Sequence, residues 1–133
     1  MKTVALIEMG KDGKFTIFTP ELRTTIIGDG KTVAEAKADF ENSVKEVLET
    51  YEELNEQIPD ELVDVQFEYK YDMPSFLNFY DYFNVSRLAE HAGINPSLMR
   101  QYKHGQYVSE KQVMKIQNAI HKIGSELASV QLL

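Results

Sequence analysis

The sequence predicts an α+β fold in two parts: a βββαβ layer over residues 1–73, then an all-α domain over residues 74–133 that holds a helix-turn-helix. Three observations predict it. The apolar residues of 63–72 alternate one by one, the period of a strand. Those of 36–54 recur every three or four positions, the period of a helix, and after Pro74 the period stays helical to the end. The charge divides at the same place. Residues 1–74 carry eight Lys+Arg against 17 Asp+Glu, net −9; residues 75–133 carry six against four, net +2, and all three histidines. The whole-chain value of −7 therefore describes neither part.

The elements follow in order. Residues 3–9 (Thr-Val-Ala-Leu-Ile-Glu-Met) are β-prone and mostly apolar. Asp12-Gly13 is a tight-hairpin signal, since both residues tolerate φ > 0. Residues 14–19 pair back, and a third short strand, Thr24 to Ile27, ends in Gly28-Asp29-Gly30. Thr32-Val-Ala-Glu35 is a capping box, in which hydroxyl and carboxylate satisfy opposite backbone N–H groups at a helix start. Ala36, Phe40, Val44, Val47, Tyr51 and Leu54 then form one helical stripe to about residue 56, with glutamates on the other face. Val63, Val65, Phe67, Tyr69 and Tyr71 alternate with polar residues, as in a half-buried strand of an antiparallel sheet. Met73-Pro74 is the boundary.

Beyond it the sequence predicts a short helix near 75–82 and three more with explicit punctuation. Asn84 caps a helix over 85–92, with Gly93 as its stop. Asn95 caps the next, with Pro96 at its first position, where the missing N–H costs nothing. That helix runs to His104. Ser109 and Gln112 form a second capping box, opening a helix over 110–123 that Gly124 ends.

Composition narrows the functional classes. The chain has 133 residues, 43% hydrophobic and 26% charged, an ordinary globular balance. Without cysteine there is no disulfide framework, thiolate nucleophile or Cys-ligated zinc. The first apolar run, Val4 to Ile7, stops at Glu8, too short for a signal peptide or a membrane span. The expectation is a cytoplasmic protein without a membrane partner.

Two short helices joined by Gly93-Ile94-Asn95-Pro96 have the layout of a helix-turn-helix. Met99 and Tyr102 face inward, which leaves Ser97, Arg100, Gln101, Lys103 and His104 outward. The first turns of the second helix are those that meet base edges. Gln101 is the leading base-reading candidate, since its amide can be bidentate to adenine, with Ser97 and Arg100 next. Asn84, Lys103, His104, Lys111 and Lys115 are phosphate candidates, giving affinity without sequence information.

Both halves resemble the HicB-type antitoxins. Residues 84–124 look like the Cro/repressor-type helix-turn-helix that many such proteins carry. The first half looks like the HicB domain, a partial ribonuclease-H-like βββαβ fold, matched at Pro20, Leu22, Gly28, Thr32, Glu35 and Ala36. The resemblance covers nearly the whole chain. It departs from the family at Thr24-Thr25, where a Gly-Cys pair is frequent. It implies a bifunctional antitoxin of a type II toxin-antitoxin pair. One half would neutralise a small basic RNA-cleaving toxin; the other would bind the double-stranded operator and repress the operon. The net of −9 suits a basic partner. The alternative is an orphan regulator or a protein-interaction module without a toxin.

Other motifs carry less. Gly30-Lys31-Thr32 resembles the end of a P-loop, but position 25 is Thr where that motif needs glycine. Glu8, Asp29 and Asp64 are the carboxylates placed near one sheet end; nothing fixes their convergence, so no catalytic residue is assigned. His91, His104 and His121 lack metal-ligand spacing, so neither metal nor cofactor is expected. Eight of the 14 aromatics fall within 67–83. They are read as core, with Phe76, Phe79, Tyr80 and Phe83 as a domain or oligomer interface of a homodimer or larger assembly.

Overall fold

The computed structural model describes residues 2–133. Among them are a four-stranded mixed sheet and five α-helices, an α+β architecture. The chain divides into two compact units, Met1–Asp72 and Met73–Leu133. No helix of the described residues is long and apolar enough to cross a membrane.

In the first unit, β1 (Lys2–Met9) and β2 (Phe15–Phe18) form an antiparallel hairpin, with Leu6 opposite Phe18 and Met9 opposite Phe15. Its turn closes by the Gly10 N–H donating to the Lys14 carbonyl at 2.8 Å. β3 (Ile27–Gly30) adds to β2, also antiparallel. The third strand thus lies three residues later than the sequence predicts, in the glycines themselves. Those glycines are sites of close packing. A Cβ on Gly28 would overlap the Phe40 backbone, and one on Gly30 would overlap that of Ala36. Residues 24–26 instead lead in along a loop, where the Ile26 N–H donates to the buried Thr19 hydroxyl at 2.9 Å.

Helix α1 (Val33–Glu53) crosses one face of this sheet. The Glu35 N–H donates to the Thr32 hydroxyl at 3.1 Å, as the capping box requires. The Glu35 carboxylate accepts from the Lys31 N–H at 2.9 Å, one residue before the position a reciprocal box would use. Ala36 and Phe40 are fully buried against Ala5, Ile7, Phe15 and Ile17, and the Phe40 ring meets Phe67 edge-on at 5.1 Å.

The last strand departs from the prediction twice. A 3-10 turn at Asp60–Leu62 and a left-handed Asp64 (φ 51°) delay β4 to Gln66–Tyr71. β4 also lies parallel to β1, with Lys2 opposite Gln66 and Ile7 opposite Tyr71. The sheet order is β3-β2-β1-β4. Alternation reports that one face is covered, which holds for either direction. The direction comes from α1, which carries the chain back so that β4 runs the same way as β1.

The second unit is four helices: α2 (Met73–Phe79), α3 (Val85–Ala92), α4 (Pro96–Lys103) and α5 (Glu110–Ala128). Its core is Leu77, Leu88, Ala89, Met99, Tyr102, Ile116 and Ala119. The polar caps sit where the sequence puts them. Asn84 accepts from the Arg87 N–H at 3.1 Å, Asn95 from the Ser97 N–H at 2.8 Å, and Ser109 from the Gln112 N–H at 3.3 Å. The return half of the second capping box is absent, since the Gln112 side-chain oxygen Oε1 is buried without a partner. Gly93 closes α3 in the left-handed region (φ 71°), which a side chain would disfavour. Two helices differ from expectation in their bounds. α2 starts at Met73 and ends at Phe79, and α5 runs through Gly124 to Ala128. Nothing lies within 4 Å of a Cβ built on Gly124, so that glycine sits in an open turn and does not stop the helix.

Candidate nucleic-acid interface

The face in question is built on α4. Met99 and Tyr102 are buried in the second unit's core and Leu98 packs against it, which fixes the helix about its own axis. Ser97, Arg100, Gln101 and His104 follow the i, i+3, i+4, i+7 rule and are exposed on the opposite side. The three base-reading candidates thus share one face, over the first two turns of the helix.

They do not behave alike. The Arg100 guanidinium donates to the Ser86 hydroxyl of α3 at 3.1 Å and to the Ser97 hydroxyl at 3.1 Å. It is tied across two helices. Of its five N–H donors, two are engaged and three remain for a ligand. The Gln101 side chain has no hydrogen bond among the described residues, and its whole amide is free. The sequence named all three residues but not Ser86, which sits on the preceding helix. Its only sequence signal was a small hydroxyl two residues after the Asn84 cap.

The phosphate candidates are spread more widely. Asn84 uses its side-chain oxygen to cap α3 and keeps its amide N–H groups. Lys103 is half-buried at the end of α4, and its carbonyl accepts from the Asn78 amide at 3.5 Å. His104 is the exposed residue that closes α4. Lys111 and Lys115 are exposed one turn apart at the start of α5, which packs against α3.

No family model, curated protein or solved structure matches the chain.

The remaining candidates are arranged as follows. The aromatics of the second unit form a chain of ring contacts. Phe76 meets Tyr80 at 5.0 Å and Phe83 at 6.3 Å, Phe79 meets Tyr80 at 4.9 Å, and Tyr82 meets Phe83 at 5.0 Å. Phe76 packs against the core, whereas Phe79 and Tyr82 are exposed.

In the first unit, Glu8 of β1 stands opposite Thr16 of β2, which stands opposite Asp29 of β3. The Thr16 hydroxyl donates to Asp29 at 2.8 Å. Burial, and then the nearby Asp72 carboxylate, push the Glu8 pKa above the ordinary value. Asp64 lies at the other end of the sheet, just before the Gln66 that pairs with Lys2. The three carboxylates therefore do not converge. No group of three or more His, Cys, Asp or Glu among the described residues could hold a metal ion.

A groove runs along α1 beside its packed face. Val44, Leu48 and Ile58 form its apolar floor, and Glu41, Glu49, Glu52 and Glu56 rim it with Lys45. Lys45 pairs with Glu49 at 3.8 Å, and Glu41 accepts from the Tyr69 hydroxyl at 3.2 Å.

Proposed function

We propose that the chain is a cytoplasmic DNA-binding regulator of the HicB antitoxin type, acting as a homodimer. In this reading α3 and α4 are a helix-turn-helix and α4 enters the major groove. Gln101 reads a base edge, Ser97 and Arg100 flank it, and Asn84, Lys103, His104, Lys111 and Lys115 hold phosphates. The observation that carries the reading is the free Gln101 amide on a helix whose opposite side is locked by Met99 and Tyr102. A rigid helix presenting one unsatisfied bidentate amide is what base recognition requires.

The first unit, a partial ribonuclease-H-like layer in this reading, would hold a small basic toxin. Two features support that half. The first 74 residues carry a net −9. The α1 groove joins an apolar floor to a carboxylate rim, which suits a cationic amphipathic partner.

The test is fluorescence anisotropy on the DNA upstream of the chain's own gene, at two salt concentrations and against a scrambled duplex. Wild type should bind tightly, lose affinity steeply with salt, and prefer its own site. Gln101→Ala should lose that preference, costing about 1–3 kcal/mol on the specific duplex, and keep the non-specific affinity. Equal binding of both duplexes by wild type would sink the regulator reading.

A further inference from the structure

The exposed side of α4 has a hydrogen-bond polarity that residue types alone do not fix. A guanidinium donates and cannot accept. Arg100 gives one N–H of each terminal nitrogen to a serine, Ser86 on α3 and Ser97 on α4, both at 3.1 Å. Each hydroxyl oxygen therefore already accepts from a cation. That bond polarises the hydroxyl, which becomes a better donor and a poorer acceptor.

The helix caps act in the same sense. The Asn84 side-chain oxygen accepts from the Arg87 N–H, and that of Asn95 from the Ser97 N–H. What each asparagine has left is its NH2 group. Asn84, Ser86, Asn95, Ser97 and Arg100 thus all offer donors. Gln101 differs, because its amide, oxygen included, has no hydrogen bond among the described residues. On the exposed side of the first two turns of α4, that oxygen is the uncommitted acceptor. Such a pattern selects among bases. In the major groove guanine presents two acceptors, N7 and O6. Adenine presents an acceptor and a donor, thymine an acceptor and a methyl group, and cytosine a donor. Phosphate oxygens accept as well, but they are the same at every step.

We propose that the preferred duplex carries a guanine under Ser97 and Arg100, next to the adenine that Gln101 reads. The two residues donate to its N7 and O6, and the Gln101 oxygen accepts from the neighbouring exocyclic amine. The inference deepens the base recognition of the proposed function and rests on that reading. It follows from the bonds that Arg100 makes across two helices, since serines without a guanidinium on them could turn either a donor or an acceptor to the base.

The experiment is anisotropy on the full chain with the duplex upstream of its own gene. Each guanine in turn is replaced by 7-deazaguanine, which keeps base pairing and O6 and loses the N7 acceptor. At a guanine adjoining an A·T pair, the replacement should weaken wild-type binding about tenfold. Ser97→Ala and Arg100→Ala should each shrink the ratio between the two duplexes, and the double variant should abolish it. Gln101→Ala should bind both duplexes more weakly and keep the ratio. Ser97 and Arg100 are exposed, and a ratio between duplexes does not move with a general loss of folded protein. A wild type that prefers its own duplex over a scrambled one, yet ignores 7-deazaguanine at every guanine, overturns the proposal and leaves the Gln101 reading in place. A ratio that survives in the double variant also overturns it. A wild type with no preference for its own duplex overturns both.

Discussion

The Arg100 guanidinium of α4 is hydrogen-bonded to the Ser86 hydroxyl of α3 at 3.1 Å. This bond ties the exposed faces of two successive helices. A guanidinium held by two hydroxyls has lost much of its rotamer freedom before any ligand arrives, so less is lost on binding. In the proposed complex Arg100 is a pre-set group, while Gln101 beside it is ordered only on binding.

Removing that anchor should therefore weaken binding without redirecting it. Ser86→Ala should lower affinity for the preferred duplex about three- to tenfold, in line with about 0.5–1.5 kcal/mol for one hydrogen bond. The preference over a scrambled duplex should persist. Arg100→Lys should behave worse than Ser86→Ala, because one ammonium does not reproduce a fork that reaches both serines. Anisotropy titrations of the three proteins on both duplexes check the order.

The two lysines at the start of α5 make a different prediction. Each phosphate contact contributes about 0.9 to the slope of log affinity against log salt. Lys111→Ala and Lys115→Ala should each flatten that slope by about this amount and weaken all duplexes alike. Gln101→Ala should leave the slope unchanged. A slope unchanged from wild type in either lysine variant would remove that residue from the contact set.

The glycines predict opposite outcomes in the two units. Gly28→Ala places a methyl group on the Phe40 backbone, where no flexible side chain can yield. It should cost at least about 3 kcal/mol, since either α1 or β3 must shift. Gly124→Ala adds a methyl to an open helical turn and should stabilise the second unit by about 0.5–1 kcal/mol. Thermal melts followed by circular dichroism should show the first transition fall and the second rise.

Glu8 gives a pH dependence. Burial raises its folded pKa above 4.5, so the folded state holds its proton where the unfolded state has released it. Stability then falls as pH rises from 4.5 through the folded value, and the penalty is complete above it. Glu8→Gln should raise the melting temperature at neutral pH. The gain should shrink to nothing below the ordinary carboxylate range. A gain that grows on acidification would contradict this assignment.

Local chemistry made much of this fold legible. The caps at Thr32, Asn84, Asn95 and Ser109 each involve a side chain and a backbone N–H two or three residues on, so a single stretch of sequence contains both partners. Three elements differ from the sequence reading where the deciding surroundings are remote. Gly28 reads as a turn until Phe40 lies against it. β4 reads as antiparallel because alternation records a covered face and carries no direction. Gly124 reads as a stop unless it is known that nothing crowds it. The candidate interface follows the same division. The exposed face of α4 could be read from helical spacing, but its link to Ser86 could not, because that bond joins residues on different helices.

The parallel pairing of β1 with β4 also sets an order of events in time. Lys2 finds Gln66 only after nearly all of the first unit has been made. The hairpin of β1 and β2 can form early, but one edge of β1 waits, unpaired, for the last strand to leave the ribosome. The second unit has no strand edge to leave open, since each of its helices bonds within itself, and its packing joins α3 to α4 and to α5 and α2 to α4. A chain interrupted before residue 66 would expose the open edge of β1, with Val4, Ala5, Leu6 and Ile7 along it, to any other strand nearby.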